Sequence, residues 1–153
     1  MDDFDVVMPD KNEEEFIDMA INLGYNEVVF LADDVNYRYK SSRIRLKTAY
    51  LLKEPMEFHR AKKNFDLIFA RAERKFFEQH SDYIINAELS EKRDSFHYRN
   101  TSLNQVHAKL ASQNSITIVF NFGMLSDSNS LSRIKYLGRM FQNAVLSKKY
   151  KLK

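Results

Sequence analysis

The sequence predicts an α/β fold in which about six mostly parallel strands alternate with helices. Short apolar runs recur along the 153 residues, and segments with apolar residues at helical spacing separate several of them. The opening of the chain has a β-α-β order, which requires a parallel sheet and a right-handed crossover. A chain of this length is expected to form one domain that spans residues 1–153.

Six short runs, rich in β-branched or aromatic residues, are predicted as strands. The third run alternates cations with apolar or small residues, as is required of a strand with one solvent-exposed face and one buried face. Arg43, Arg45 and Lys47 are therefore expected to project from one side of it. The six predicted strands are 4–8, 27–31, 43–52, 66–70, 82–86 and 116–122.

Capping signals and apolar stripes predict the helices. Asp10 and Glu13 have the spacing of a capping box, for a helix that ends near Gly24. A short basic helix is expected over 74–79, and a further helix begins at Thr101 or Ser102. The apolar positions expected to face inward on that further helix are Leu103, Val106, Leu110 and Ala111.

A long helix is predicted over 131–147, after a turn-rich linker over 126–130. Its polar side is expected to bear Lys135 and Arg139, one turn apart. The apolar stripe expected to face inward consists of Ile134, Leu137, Phe141 and Val145.

Composition excludes several classes of activity. The chain has no cysteine, so thiol nucleophiles, disulfides and cysteine-bound metals are absent. Its three scattered glycines do not form a phosphate-binding loop. We find no apolar run long enough to span a bilayer and no signal segment, and therefore expect a soluble cytoplasmic protein with no membrane partner.

The net charge of +3 is very unevenly distributed. Residues 1–34 contain one cation and eleven acids, whereas residues 35–153 contain 23 cations and 10 acids. A basic body of this kind is typical of polyanion-binding proteins, although a solvated lysine-rich surface has the same composition.

Aromatic and cationic residues alternate directly before the cationic strand, in the segment Tyr37, Arg38, Tyr39 and Lys40. Cations bind phosphates, and aromatic planes stack on unpaired bases. This segment, together with Arg43, Arg45 and Lys47, is therefore a candidate RNA-binding surface. The alternative is that both tyrosines pack inward and the cations are merely exposed.

The four histidines, His59, His80, His97 and His107, form neither an HxH nor an HExxH pattern, so we predict no metal site. His107 falls on the apolar side of its helix and is expected to be a hydrogen-bonded core histidine. The main alternative from another class is a metal-dependent phosphoesterase that uses His97 and His107 near acids at strand ends. A protein-interaction module with an acidic contact surface is a third possibility.

Several motifs occur in order between residues 67 and 150. The longest is FHYRNTSLNQV over 96–106, a loop-to-helix junction; SDYII over 81–85 precedes it, and KKY over 148–150 ends the last helix. Together these motifs resemble protein component 3 of archaeal ribonuclease P, the thirty-kilodalton subunit family shared by eukaryotic RNase P and MRP.

The resemblance implies a reduced or incomplete TIM-barrel-like fold, related to the polymerase and histidinol phosphatase superfamily but without its metal-binding histidines. It also implies a non-catalytic subunit without a cofactor, in a holoenzyme whose RNA removes the 5′ leader of precursor tRNA. The implied partners are the RNase P RNA, protein component 2 and other protein subunits, with precursor tRNA contacted indirectly. Arg74 and Arg93 match basic positions of the family, and we also predict an RNA contact at Arg99 within the motif.

Two departures from the family pattern affect these expectations. The family's Ser-Gly pair is Thr101-Ser102 here, which removes the backbone freedom of glycine. The chain also ends where family members continue through another strand, so a closed eight-stranded barrel is not expected. An open sheet edge would favour association, either with the partner subunit as a heterotetramer or with a second copy as a homodimer.

Overall fold

A computed structural model describes residues 4–79, 81–89 and 93–152 of the chain. These residues form six strands and six α-helices, with the third strand following the second directly and two helices in succession after the last strand. The strands are β1 (Phe4–Val7), β2 (Glu27–Ala32), β3 (Arg45–Leu52), β4 (Leu67–Arg71), β5 (Tyr83–Ile85) and β6 (Thr117–Val119). The helices are α1 (Glu13–Asn22), α2 (Phe58–Asn64), α3 (Arg74–Glu78), α4 (Gln105–Gln113), α5 (Gly123–Asp127) and α6 (Ser130–Tyr150), and a 3-10 turn at Pro55–Glu57 precedes α2.

The strands are hydrogen-bonded in chain order, from β1 to β6. Neighbouring strands are parallel, with Phe4 opposite Glu27, Glu27 opposite Arg45, and Tyr83 opposite Thr117. The fold is the α/β, incomplete TIM-barrel-like architecture that the sequence predicts. All six predicted strands are confirmed, although several are shorter than expected; the last one, for example, stops at Val119.

The chain forms two compact units, one of residues up to Phe69 and one of residues from Ala70 onward. In the first unit, α1 packs on β2 through a core that includes Ile17, Ala20, Val28 and Phe30. Every residue of β2 is buried. This burial explains why β2, after its first residue Glu27, is a continuous apolar run and not an alternating one.

The start of α1 differs from the predicted capping box. Asn12 occupies the N-cap position, but its side-chain oxygen accepts a hydrogen bond from the Asp10 N–H at 2.8 Å and does not cap the helix. The Asp10 side chain does not cap it either. The first turn is stabilised instead by carboxylates, which are favourable near the positive end of the helix dipole. They belong to Glu13, Glu14 and Glu15. Gly24 follows the helix at a φ of +83°, as its predicted role requires.

In the second unit, α4 packs against α3 and α6. The N-cap of α4 is Asn104, whose side chain accepts a hydrogen bond from the His107 N–H at 2.9 Å; the predicted caps Thr101 and Ser102 precede the helix. Leu103 and Ala111 are buried as predicted, but Val106 is exposed, contrary to expectation, and Ala108 is buried in addition.

The predicted linker over 126–130 is partly helical, because α5 extends to Asp127. Polar side chains explain this local order. Asn121 Oδ1 accepts a hydrogen bond from the Met124 N–H at 3.4 Å, and the Ser128 hydroxyl donates to the Met124 carbonyl. Asn129 then caps α6 by accepting from the Ser132 N–H at 2.9 Å.

The buried face of α6 is not the one that the apolar stripe predicts. The four stripe residues are exposed, with Ile134 at 64% and Phe141 at 73% of full exposure. Arg139, predicted on the polar side, is completely buried (0% exposed) beside Met140 and Asn143. The helix is therefore rotated relative to the arrangement that hydrophobicity alone predicts.

Partners on the loop before α4 make this burial of Arg139 possible. Arg139 Nε and Nη2 each lie 2.9 Å from Asp94 Oδ1, and Nη1 donates to the Glu88 carbonyl at 3.0 Å. A guanidinium group taken out of water needs both a counter-ion and hydrogen-bond acceptors. Asp94 and Glu88 supply these, and they fix the rotation of α6.

Loss of the counter-ion should be costly. We expect Asp94→Ala to lower the free energy of unfolding by about 3 kcal/mol, because a buried guanidinium loses its counter-ion. The double variant Asp94→Ala/Arg139→Met should lose less than the sum of the two single variants. Urea denaturation followed by circular dichroism measures both effects.

The matched control is Glu78→Ala, which removes a carboxylate from the exposed Arg74–Glu78 pair. A change of less than about 1 kcal/mol is expected there. A similar loss of unfolding free energy in Asp94→Ala and Glu78→Ala would contradict the assigned role of the buried pair. A loss in the double variant equal to the sum of the two single losses would contradict it as well.

A second buried carboxylate should produce a pH effect of defined sign. Burial raises the pKa of Glu88, against hydrogen bonds from backbone N–H groups that include that of Asn121. As pH rises, the Glu88 carboxyl group therefore loses its proton at a lower pH in the unfolded chain than in the folded protein. This difference lowers the free energy of unfolding as pH rises. Glu88→Gln should gain stability relative to the wild type as pH rises above the usual carboxylate pKa. A difference in unfolding free energy that does not vary with pH would refute this.

Candidate nucleic-acid interface

The two tyrosines of the predicted RNA-binding segment are attached to α1. The Tyr37 hydroxyl donates to Glu13 Oε1 at 3.3 Å, and the Tyr39 hydroxyl donates to Glu14. Both rings pack against the core of the first unit, and the Tyr39 ring centroid lies 5.6 Å from that of Phe30. This is the inward packing that the sequence left open as the alternative.

Negative neighbours keep these hydroxyls protonated. Burial, followed by the nearby Glu13 carboxylate, raises the pKa of Tyr37. The hydrogen bond to Glu14, with smaller contributions from burial and charge, raises the pKa of Tyr39 to about 12. Both groups therefore remain hydrogen-bond donors to α1 at neutral pH.

The cations of the predicted strand face lie beside carboxylates of the same unit. Arg43 binds Glu14, with Nη1 to Oε2 at 3.1 Å, and also Asp18. Arg45 and Lys47 both reach Glu27 of β2, at 3.8 Å and 2.7 Å. Their common partner places Arg45 and Lys47 on one side of β3, as expected, while Arg43 precedes the strand. RNA contact by these three residues stays a prediction.

Arg38 and Lys40 lie in the exposed loop before β3. The Arg38 guanidinium donates to the carbonyls of Val35 and Tyr37 and lies 5.4 Å from the Phe65 ring centroid. Among the described residues neither cation forms an ion pair, so both retain charge available to a phosphate. Their RNA contacts also remain predictions.

Arg74, in the second unit, opens α3 and is largely exposed. Its Nε lies 2.8 Å from Glu78 Oε1, one turn further along the same helix. An exposed pair of this kind is weak, so the guanidinium can exchange this partner for a phosphate at little cost.

The predicted residues Arg93 and Arg99 lie in the loop that precedes α4, and Asp94 organises this loop. Its carboxylate accepts hydrogen bonds from the Asn100 N–H at 2.9 Å and from Arg99 Nη1 at 3.3 Å, in addition to Arg139. Burial alone would raise the pKa of Asp94, but the Asn100 hydrogen bond and the Arg139 charge outweigh it and hold the pKa below its usual value. The Arg93 side chain is exposed, and its carbonyl accepts from the Asn100 amide.

Gln142 of α6 fixes the loop at its centre. Its Oε1 accepts from the Arg99 N–H at 2.9 Å, and its Nε2 donates to the Arg99 carbonyl at 2.7 Å. The Arg99 side chain passes close to Gly138, where a Cβ would lie 3.2 Å from Arg99 Nε. The absence of a side chain at this position leaves room for the guanidinium group against the helix.

A tight turn presents aromatic rings beside this attachment. The Ser95 N–H donates to the Tyr98 carbonyl at 3.0 Å, and the Ser95 hydroxyl oxygen accepts from the Tyr98 N–H at 3.1 Å. Phe96 and His97 lie at the tip, with ring centroids 5.0 Å apart and planes nearly perpendicular. We call residues 95–98 the aromatic turn.

A groove of about 510 Å³ separates the aromatic turn from α6. Beyond the turn itself, its lining consists of Arg99, Gly138, Phe141, Gln142 and Val145. A second groove, of about 440 Å³, borders the other side of Tyr98 and Arg99 and reaches Lys149. The motif over 96–106 thus forms open, partly apolar surfaces edged by cations.

The histidines do not converge in the described part of the chain. A ring nitrogen of His107 donates to the Ser102 carbonyl at 2.7 Å, and the ring stacks on Phe77 at 4.7 Å, which confirms the predicted hydrogen bond of a half-buried histidine. His97 is exposed on the aromatic turn, and His80 lies outside the described residues. No group of three or more metal-binding side chains occurs among the described residues. In the same residues, no helix has the length and apolarity needed to cross a membrane.

Sequence reasoning missed the residues that support this loop, namely Asp94, Gln142 and Gly138. The available signals were Gly138 inside a long helix, where glycine is unfavourable, and three successive aromatic rings at positions 96–98. Both signals lie next to the motif that carries the family resemblance.

The structure defines an α/β, incomplete TIM-barrel-like protein with an aromatic and basic loop packed on its last helix. No family model and no curated protein matches the sequence. A solved structure is similar: a chain in the cryo-EM structure of archaeal ribonuclease P with mature tRNA, with a TM-score of 0.75 and 21% sequence identity. The match covers 98% of this chain and 71% of that one. At this level of identity the likeness establishes the fold.

The attachment through Gln142 can be tested directly. Gln142→Leu removes two hydrogen bonds to Arg99 and should lower the free energy of unfolding by about 1–3 kcal/mol. Amide hydrogen exchange at Arg99 should accelerate, because its N–H loses its acceptor. The control is Gln113→Leu at the exposed end of α4. Unchanged protection of Arg99 in the Gln142 variant would argue against this attachment.

Proposed function

We propose that the chain is a non-catalytic protein subunit of ribonuclease P, which supports the catalytic RNA in removing the 5′ leader from precursor tRNA. The main support is the structural likeness to a chain of the archaeal ribonuclease P complex over 98% of this chain. The ordered motifs that resemble protein component 3 of that enzyme are independent support, since they come from the sequence alone.

The arrangement of the motif is consistent with an RNA-supporting role. FHYRN, at the start of the motif, contains the three rings of the aromatic turn and Arg99, which Gln142 and Asp94 hold in place. Exposed cations on a fixed loop can neutralise phosphates at low entropic cost, because the backbone is already ordered. In this proposal the RNA performs the chemistry and the protein stabilises its fold.

Pairing with a second protein subunit belongs to the same proposal. The N-terminal half of α6 exposes large aliphatic side chains, and contiguous exposed apolar surface is typical of protein interfaces. These side chains are Leu131, Ile134 and Leu137. We propose protein component 2 as the partner of this surface. We also propose a cytoplasmic location, or a nucleolar one in a eukaryote, where precursor tRNA is processed.

Reconstitution tests the proposal. The purified chain is mixed with candidate RNase P RNA and component 2, and cleavage of precursor tRNA is measured with and without it. We expect faster cleavage or tighter assembly with the chain, and no cleavage by the chain alone. Absence of any gain in cleavage and assembly, or phosphoester hydrolysis by the isolated chain, would contradict the proposal.

The predicted basic contacts should contribute to assembly. Arg74→Ala/Arg93→Ala removes two exposed cations and should weaken RNA association while leaving thermal stability nearly unchanged. The slope of log affinity against log salt should become shallower by about 1.4–1.8 if each arginine contacts one phosphate.

The charge-matched control is Arg60→Ala/Arg71→Ala, which removes two other exposed arginines. Its salt slope should remain close to that of the wild type. Equal slopes in both double variants would show that net charge, and not the two predicted positions, determines binding.

A further inference from the structure

We propose that the aromatic turn and its groove bind unpaired nucleotides of single-stranded RNA, with bases stacked on the rings and phosphates bound by the neighbouring cations. This inference rests on the proposed RNA-binding function and identifies its ligand as unpaired RNA. It also adds three aromatic residues to the predicted arginine and lysine contacts, namely Phe96, Tyr98 and Phe141.

The three aromatic rings are highly exposed. Phe96 is 97% exposed, Phe141 73% and Tyr98 60%. Hydrogen bonds between Ser95 and Tyr98 hold Phe96 at the tip of the turn, so its exposure is a consequence of ordered structure. Several large apolar side chains along one groove mark a binding surface more strongly than isolated exposed residues do.

The chemical character of the groove suits stacked bases. Aromatic faces stack on any base, and they do so without regard to sequence. The groove combines Phe96, His97, Tyr98 and Phe141 with the Arg99 guanidinium, which remains about half exposed beside them. Its volume of about 510 Å³ falls within the range of small-molecule sites and is large enough for a nucleotide.

The surface of α6, which forms one wall of the groove, is positively charged. The helix has no carboxylate, and four of its cations are not buried: Arg133, Lys135, Lys148 and Lys149. Lys149 also lines the neighbouring groove. Asp94, the carboxylate that contacts Arg99, is already bound to Arg139. A polyanion therefore meets a net positive surface here.

These features favour RNA over a protein partner at this position. The groove lining is mainly aromatic, polar or cationic, and Val145 is its aliphatic member. The aliphatic side chains Leu131, Ile134 and Leu137 belong to the N-terminal half of α6 and do not line either groove. We therefore assign unpaired RNA to the groove and retain a protein partner as an outcome that the experiment can reveal.

A tryptophan reporter tests stacking directly. The chain has no tryptophan, so Phe96→Trp introduces a single fluorophore at the tip of the turn. The full-length variant is titrated with a uridine decanucleotide and with an abasic RNA of equal length. We expect strong quenching by the oligouridylate, little quenching by the abasic RNA, and at least about fivefold weaker binding of the latter.

Leucine substitutions separate ring stacking from general apolar contact. Phe96→Leu/Tyr98→Leu preserves apolar bulk but removes both aromatic faces. Measured by anisotropy of labelled RNA, its affinity for oligouridylate should fall at least about tenfold, while its affinity for abasic RNA should not change. The control is Phe122→Leu, which removes an exposed ring outside the groove and should bind both RNAs as the wild type does.

Three results would overturn the inference. They are wild-type affinity of the double leucine variant for oligouridylate, equal affinity of the wild type for both RNAs, and undiminished quenching by abasic RNA. If Phe96→Glu abolishes assembly with component 2 while the double leucine variant assembles normally and binds oligouridylate normally, the groove is a protein interface.

The ribonuclease P proposal fails separately. Stacking of oligouridylate without any gain in precursor-tRNA cleavage or assembly would refute that function but leave the groove as an RNA site. Conversely, a full gain in reconstitution by the double leucine variant, together with its unchanged oligouridylate affinity, would support the function and refute the groove.

Discussion

The buried ion pair between Arg139 and Asp94 is the constraint on which the second unit depends. It joins the centre of α6 to the loop before α4, and Arg139 also reaches the Glu88 carbonyl. Because the guanidinium group has no exposure to water, its partners must stay in place. The rotation of α6 and the position of the loop are therefore determined together.

This rotation has a direct consequence for the surface. Arg139 and Asn143 face inward, so residues on the opposite side of the helix face outward, including Phe141 and Val145. Gln142 then meets the Arg99 backbone, and the aromatic turn lies beside the exposed side of the helix. The ion pair in the interior thus generates the groove outside it.

The two units use their charges differently. In the first unit, Arg43, Arg45 and Lys47 pair with carboxylates of α1 and β2, so their charge is balanced within the unit. Helix α6 has no carboxylate of its own, and most of its cations are not buried. Charge that is balanced within the fold contributes little to the binding of a polyanion, whereas unbalanced surface charge contributes to that binding directly. Aromatic rings beside such a surface add the contacts that distinguish unpaired bases from plain phosphate chains.

The sequence by itself determined the fold class, the number of strands and most helix positions, because these depend on local periodicity and on turn residues such as Gly24. It also identified the loop-to-helix motif and the hydrogen-bonded state of His107. Only the tertiary structure decided which face of α6 is buried, that Asn104 caps α4, and that Gln142 fixes Arg99. A buried arginine looks like a surface residue in any hydrophobicity pattern. The burial of Arg139 depends on a carboxylate that is 45 residues away along the chain, and the local sequence does not show that the two side chains are close in space.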